Sequence, residues 1–185
     1  MKSAPTDRLG RLLDAIASKE PAPASGSAAA AVVAAAAALL EKVARLSVKR
    51  WSGAPGALEQ AHALRLRSEE LVEEDLQSYL TYIEARRSGE DLDAALARTI
   101  EVPLAVVSAA SQVVDLAQQL AERGNPNLLG DAVVAAILAS AAAEAGVTLI
   151  AINLGPATSD IRLAEAQMLA RGASERARSL RPADS

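Results

Sequence analysis

Apolar residues fall on helical spacing along most of the chain. Leu9, Leu12, Leu13 and Ile16 recur three and four apart, which puts one stripe on a helix that starts at Thr6-Asp7. Pro21 and Pro23 lack backbone donors and push the residues before them out of the α region, so this helix stops near residue 20. Ser25-Gly26-Ser27 then caps a second helix, which runs through an almost unbroken Ala/Val stretch to about residue 49. The loop Trp51-Ser52-Gly53-Ala54-Pro55-Gly56 follows. A long amphipathic helix over about 57–87 carries Leu64, Leu71, Val72, Tyr79 and Ile83 along one side and ends at Ser88-Gly89. Residues 90–102 predict a shorter helix that breaks or kinks at Val102-Pro103, with Pro103 suited to the first turn of the next segment. That segment carries Leu104, Val107, Val114 and Leu120 and stops at Gly124. Asn125-Pro126-Asn127 is a tight connector. A second nearly all-apolar helix covers about 128–154, ended by Gly155-Pro156. The last helix starts near Ser159-Asp160 and ends in an arginine-rich tail with Arg171, Arg176, Arg178 and Arg181.

The pattern predicts an all-α fold in a single domain over 1–185, a bundle of six or seven helices. A helix apolar on every face must be surrounded, so the two Ala-rich helices belong at its centre with the more charged ones around them. Composition agrees: roughly a quarter of the chain is alanine, the best helix former and a poor strand residue. Hydrophobic residues make up 51% and aromatics only 2%, enough apolar surface for a core. With no cysteine, disulfides, thiolate nucleophiles, iron–sulfur clusters and Cys-type zinc sites are excluded. The single histidine, His62, leaves no His cluster for a metal. The net charge of −4 gives no global reason to bind nucleic acid or an anionic membrane. The first residues never build the apolar core of a signal peptide. The most apolar stretch, 28–40, falls short of the roughly 18–20 residues that span a bilayer. No membrane association and a cytoplasmic location are therefore expected.

Asp75 is the most informative residue. Its neighbours one turn away are Leu71, Val72, Ser78 and Tyr79, so it falls on the side facing the apolar helices. A desolvated carboxylate has a raised pKa and suits acid–base work. The alternative is a solvated helix boundary, with Asp75 capping or pairing with an arginine such as Arg67. The loop 21–27 leads into the amino end of the first Ala-rich helix, where free N–H groups at Ser25, Gly26 and Ser27 make either an ordinary cap or a polar-ligand site. It is no P-loop, because Gly-Lys-[Ser/Thr] and a preceding strand are missing. Asn125, Asn127 and Asp131 cluster where the second apolar helix begins, a place the helix dipole favours for an acid in any case. Asn153 is polar within Ile150-Ala151-Ile152-Asn153-Leu154, so its amide needs a backbone or ligand partner. His62, beside Arg65 and Arg67, faces solvent. Lys49 and Arg50 are either solvated charge or, beside a cleft, an attraction for a polyanionic ligand.

Taken together, these stretches resemble the cyclodeaminase/cyclohydrolase family, which comprises the cyclodeaminase part of formiminotransferase-cyclodeaminase and stand-alone bacterial methenyltetrahydrofolate cyclohydrolases. The resemblance rests on Ser18-Lys19-Glu20-Pro21-Ala22-Pro23-Ala24-Ser25-Gly26-Ser27-Ala28-Ala29, Asp75-Leu76-Gln77-Ser78-Tyr79, Val102-Pro103-Leu104, Gly124-Asn125 followed by Asp131, and Ile152-Asn153-Leu154, in the family's order and spacing. It implies an all-α homodimer acting on a one-carbon tetrahydrofolate, with no metal and no cofactor besides the folate substrate. The family's catalytic carboxylate falls on Asp75. The candidate substrate-binding residues are then Ser25, Gly26, Ser27, Tyr79, Asn125, Asp131 and Asn153, with Lys49 and Arg50, outside the matching segments, as candidates for the glutamate tail. The expected activity is hydrolysis of 5,10-methenyltetrahydrofolate to 10-formyltetrahydrofolate. Cyclisation of 5-formiminotetrahydrofolate with ammonia release is the alternative. The family's Pro-Gly-Gly-Gly-Ser loop has Ala24 and Ser25 here in place of two glycines, Leu149 stands for an asparagine, and Gly130 for a serine. These changes motivate a further alternative, a member that binds folate or a protein without turnover.

Overall fold

The computed structural model describes residues 5–155 and 159–181. Its regular structure is helical throughout: α1 (Pro5–Ile16), α2 (Ser25–Arg45), α3 (Ala54–Ser88), α4 (Leu92–Arg123), α5 (Leu129–Leu154) and α6 (Ile161–Ser179), with one 3-10 turn, Pro126–Leu128, leading into α5. The all-α expectation holds. Pro156, half of the stop signal after α5, lies outside the described residues.

The Ala-rich helices contribute the middle of the packed core, as their patterning predicts. Val33, Leu40 and Val43 of α2 and Ala135, Ala139 and Ile150 of α5 are fully buried. Each buried Val, Leu or Ile contributes about 1.5–3 kcal/mol relative to exposure. α4 joins them there: it packs on α2, α3, α5 and α6, while α3 borders α2, α2 borders α5, and α5 borders α6. Small residues permit this closeness. A Cβ on Gly146 of α5 would lie 2.5 Å from Val107 Cγ2 and 3.2 Å from the Pro103 carbonyl oxygen of α4, so the crossing needs glycine there. α2 and α5 nevertheless keep one face outward, and Val134 and Ile152 remain 47% and 67% exposed. α1 stands apart from the bundle, with Leu9 and Leu13 exposed.

Three local expectations are corrected. The chain does not break at Pro103; α4 runs through it. Pro103 cannot donate to the carbonyl four residues back, that of Thr99. Asn153 of α5 supplies the missing donor, its Nδ2 lying 2.7 Å from Thr99 O, so the helix continues with no orphaned acceptor. Secondly, α2 ends at Arg45 rather than near residue 49. The Ser47 hydroxyl donates to Val43 O at 2.7 Å and accepts from the Asn125 amide at 2.9 Å, so the α4–α5 connector docks where a further turn would run. Trp51 sits beside this junction, half-buried, with the Arg123 guanidinium 6.0 Å from its ring centre. Thirdly, Ser25-Gly26-Ser27 does not cap α2. The helix starts at Ser25, and the capping position is Ala24, which has no side-chain bond to give.

The expectation from the 28–40 stretch also needs revising. As whole helices, α2, α4 and the 126–154 segment are long and apolar enough to cross a membrane by length and composition. Two-thirds of the most apolar window is buried against the rest of the chain in α4, but only half in the segment containing α5.

Candidate active site

An α-helix opens with N–H groups that have no partner within it. At the start of α2 the partner comes from another helix. The Ser27 hydroxyl donates to Asp75 Oδ2 of α3 at 2.8 Å, and the Ser27 backbone amide also hydrogen-bonds this carboxylate. The Val72 carbonyl oxygen lies 3.2 Å from the same hydroxyl. Ser27 is fully buried. Gly26 makes the approach possible: a Cβ there would fall 2.0 Å from Asp75 Oδ1. Glycine at 26 and aspartate at 75 thus form one steric unit.

Burial pushes the Asp75 carboxyl above the usual carboxylate range, against the opposing pull of the Ser27 hydroxyl and amide. No ion pair meets it among the described residues; Arg67, the partner considered from spacing, goes to Glu74 and Glu70. Hydrogen bonding from Arg67, aided by Arg98 at 3.5 Å, holds Glu74 below its ordinary value. Two adjacent carboxyls are driven in opposite directions, which marks Asp75 as the one with the greater affinity for a proton.

Asp75 opens into a cleft of about 290 Å³. The loop and α2 supply Pro21, Ala22, Ala24, Ser25 and Gly26; α3 supplies Ser78 and Tyr79; α4 supplies Thr99 and Pro103; α5 supplies Leu149, Ile152 and Asn153. An open groove of about 480 Å³ between α5 and α6 is larger, but it is lined by surface charges such as Glu144, Arg171 and Arg178. The Asp75 cleft has the better chemistry: apolar walls, a few converging polar groups and a perturbed acid. Such a site favours a cation beside Asp75 and can move a proton to and from it. Among the described residues no three His, Asp or Glu side chains converge as metal ligands would.

Six of the expected site residues come together: Ser25, Gly26, Tyr79 and Asn153 line the cleft with Asp75, and Ser27 holds that carboxylate. Asn153 spends its Nδ2 on Thr99 and has its oxygen left to accept from a ligand. The other four lie at the far end of α2, a helix of 21 residues and so about 30 Å long. Lys49 and Arg50 are exposed on the turns after it. Asn125 caps the 3-10 turn by accepting from the Asn127 amide at 3.1 Å, and Asp131 pairs with Lys42 at 2.7 Å. Within one chain these four do not reach the cleft. Thr99, Ser78 and Ile152 line it without having been singled out. The signal for Thr99 was present, since a proline inside a helix frees the carbonyl four residues before it.

Three comparisons converge. The family model described as formiminotransferase-cyclodeaminase matches residues 8–169. A methenyltetrahydrofolate cyclohydrolase from Methylorubrum extorquens is 28% identical over 159 residues, covering 77% of this chain and 74% of that protein. The crystal structure of formiminotetrahydrofolate cyclodeaminase from Thermotoga maritima superposes with a TM-score of 0.83 at 26% identity, covering 97% of this chain and 96% of the other. The match runs through the lead-in loop of α2, Asp75, Pro103 and Asn153 alike, and the chain belongs to the formiminotransferase-cyclodeaminase family.

Proposed function

We propose that this protein hydrolyses 5,10-methenyltetrahydrofolate to 10-formyltetrahydrofolate, with Asp75 as the proton-transfer group. The observation that carries this reading is a half-buried carboxylate, held by Ser27 and unpaired with any cation among the described residues, facing a cleft sized for the bicyclic head of a folate. The one-carbon bridge of the substrate is a cation delocalised over N5 and N10. Asp75 as an anion stabilises it in a site of low dielectric. Water adds to the bridging carbon, and its proton passes to Asp75. The carbon–N5 bond of the tetrahedral adduct then breaks, N5 takes a proton from Asp75, and the hydroxyl proton is released as the formyl C=O forms. One water is consumed and one proton is set free. The raised affinity of Asp75 for a proton suits both transfers, and one well-placed acid–base group contributes about 10²–10⁴ in rate.

The α2 lead-in loop favours turnover over silent binding. No residue from Ala24 to Ser27 has a positive φ, so the backbone asks for no glycine at 24 or 25. Gly26, where a side chain would collide with the carboxylate, is present. The experiment is decay of the methenyltetrahydrofolate chromophore against the buffer background, for wild type and Asp75→Asn. Rapid decay that falls about 10²-fold or more in the variant is expected. Decay no faster than buffer, alongside cyclisation of 5-formiminotetrahydrofolate, would move the assignment to the cyclodeaminase.

A further inference from the structure

The side chains around the cleft are rich in acceptors and poor in donors. A hydroxyl has one proton, so a hydroxyl that already donates can only accept from a ligand. The Ser78 hydroxyl donates to Asp75 O of its own helix at 2.9 Å, and the Thr99 hydroxyl donates to Leu96 O at 2.8 Å. Both residues line the cleft. Among the described residues the lining holds no lysine, arginine or histidine, and only Ser25 and Tyr79 carry hydroxyls still free to donate. Asp75 accepts while it is ionised. An asparagine can turn either its oxygen or its NH2 to a ligand, and for Asn153 the Thr99 carbonyl decides which. Pro103 has no N–H for that carbonyl, so only a donor can face it, and the Asn153 Nδ2 does so at 2.7 Å. The reversed amide would set oxygen against oxygen. Oδ1 is thereby left on the cleft side with no donor among the described residues.

α3 and α5 each pack on α2 and α4 and make no extensive contact with one another, so Asp75 and Asn153 stand on opposite walls of the cleft. With the N5–N10 bridge of a folate at Asp75, the far edge of the bicycle, which carries the 2-amino group and the N3–H, reaches α5. We propose that Pro103 is a specificity-determining residue: by withholding one helical N–H it ties the Asn153 Nδ2 to Thr99 and holds Oδ1 toward the cleft as a fixed acceptor for the amino-bearing edge of the substrate's ring. Pro103 is a positioning residue in this scheme and acts through Asn153. A ring with an oxo group in place of the amino group sets lone pair against lone pair and is turned away. The choice of a folate head rests on the reading above; the fixed polarity of Asn153 does not.

Two fluorescent probes test this on the full chain: pterin, and lumazine, in which the 2-amino group of the same bicycle is an oxo group. Wild type should bind pterin about 10–100-fold more tightly, the range for leaving a buried acceptor facing another acceptor. In Pro103→Ala the helix supplies its own N–H to Thr99, the Asn153 amide is free to turn over, and most of that preference should vanish. Rescue separates a lost polarity from a damaged fold. In Pro103→Ala/Asn153→Asp the new carboxylate can only accept, so the preference for pterin should return. The chain has three asparagines, and the side-chain amide of Asn153 is assigned in nitrogen-15 spectra by its absence from Asn153→Asp. Without any ligand, its protons should exchange with water about 5–10-fold faster in Pro103→Ala than in wild type. Equal affinity of wild type for the two probes, binding of neither, a preference unchanged in Pro103→Ala, or equal exchange in the two proteins each overturns the proposal. Methenyltetrahydrofolate turnover without a preference between the probes fails the selection and leaves the reaction standing. A preference for pterin with methenyltetrahydrofolate decay at the buffer rate does the opposite.

Discussion

At the scale of single residues, the site depends on Gly26 leaving room for Asp75. Gly26→Ala puts a methyl group where Oδ1 lies, so the carboxylate must swing away from Ser27. The gain in helix propensity, about 1 kcal/mol, offsets much of the strain. The expected outcome is a fold of near wild-type Tm whose turnover falls about 10²-fold, checked by melting and chromophore decay on the same preparation. The charge on Asp75 has the opposite relation to stability. Burial raises its native affinity for protons above that of the unfolded chain, so the native state binds more protons. Stability is then lost as pH rises from about 4, the unfolded value, through the raised native value. Asp75→Asn removes that cost. Its Tm should exceed wild type at pH 7–8, and the difference should shrink to nothing as the buffer approaches about pH 4. Asp75 was legible in the sequence because helical spacing set it between apolar neighbours. Its hold on Ser27 was not, because 48 residues separate the two and only the crossing of α2 and α3 joins them.

Between elements, the decisive contact is the one that repairs α4. Helical pattern and proline chemistry together predict a break at Val102-Pro103, and the break is absent because a residue 54 positions from Thr99 supplies the donor. Sequence identifies Asn153 as a residue needing a partner and Pro103 as the source of a break; that Asn153 meets the Thr99 carbonyl is tertiary. Asn153→Leu leaves the Thr99 carbonyl unmet and should cost about 1–3 kcal/mol. In a Pro103→Ala background the helix supplies its own N–H to Thr99, and the same replacement should cost less than half as much. A double-mutant cycle by denaturant melting measures the difference, and equal costs in the two backgrounds would break the argument. The ends of α2 teach a similar lesson. The alanine run says nothing about stopping at Arg45, which the docking of Asn125 on Ser47 decides.

Over the whole molecule, the order of elements and the Ala-rich helices of the core follow from periodicity and from glycine and proline positions, and the choice between six and seven helices turns on α4 running through Pro103. Which faces stay open does not, since Ala-rich helices look alike on every side. Lys49, Arg50, Asn125 and Asp131 read as site residues from charge and resemblance, yet within one chain they stand at the far end of α2 from Asp75. The α4–α5 crossing fixes the far wall of the cleft. Gly146→Ala should drive the two helices apart at Val107 and Pro103 and cost about 1–3 kcal/mol, with KM rising as Leu149 and Asn153 move; calorimetry and steady-state kinetics check both. One aromatic ring gives the molecule a reporter of its own. Trp51 is the sole tryptophan, and it sits where the end of α2, the α4–α5 connector and Arg123 converge. Selective indole excitation therefore samples that junction alone, far from Tyr79 in the cleft. A change in its emission on adding folate would be light from one end of a helix reporting an event that one chain, taken singly, places at the other.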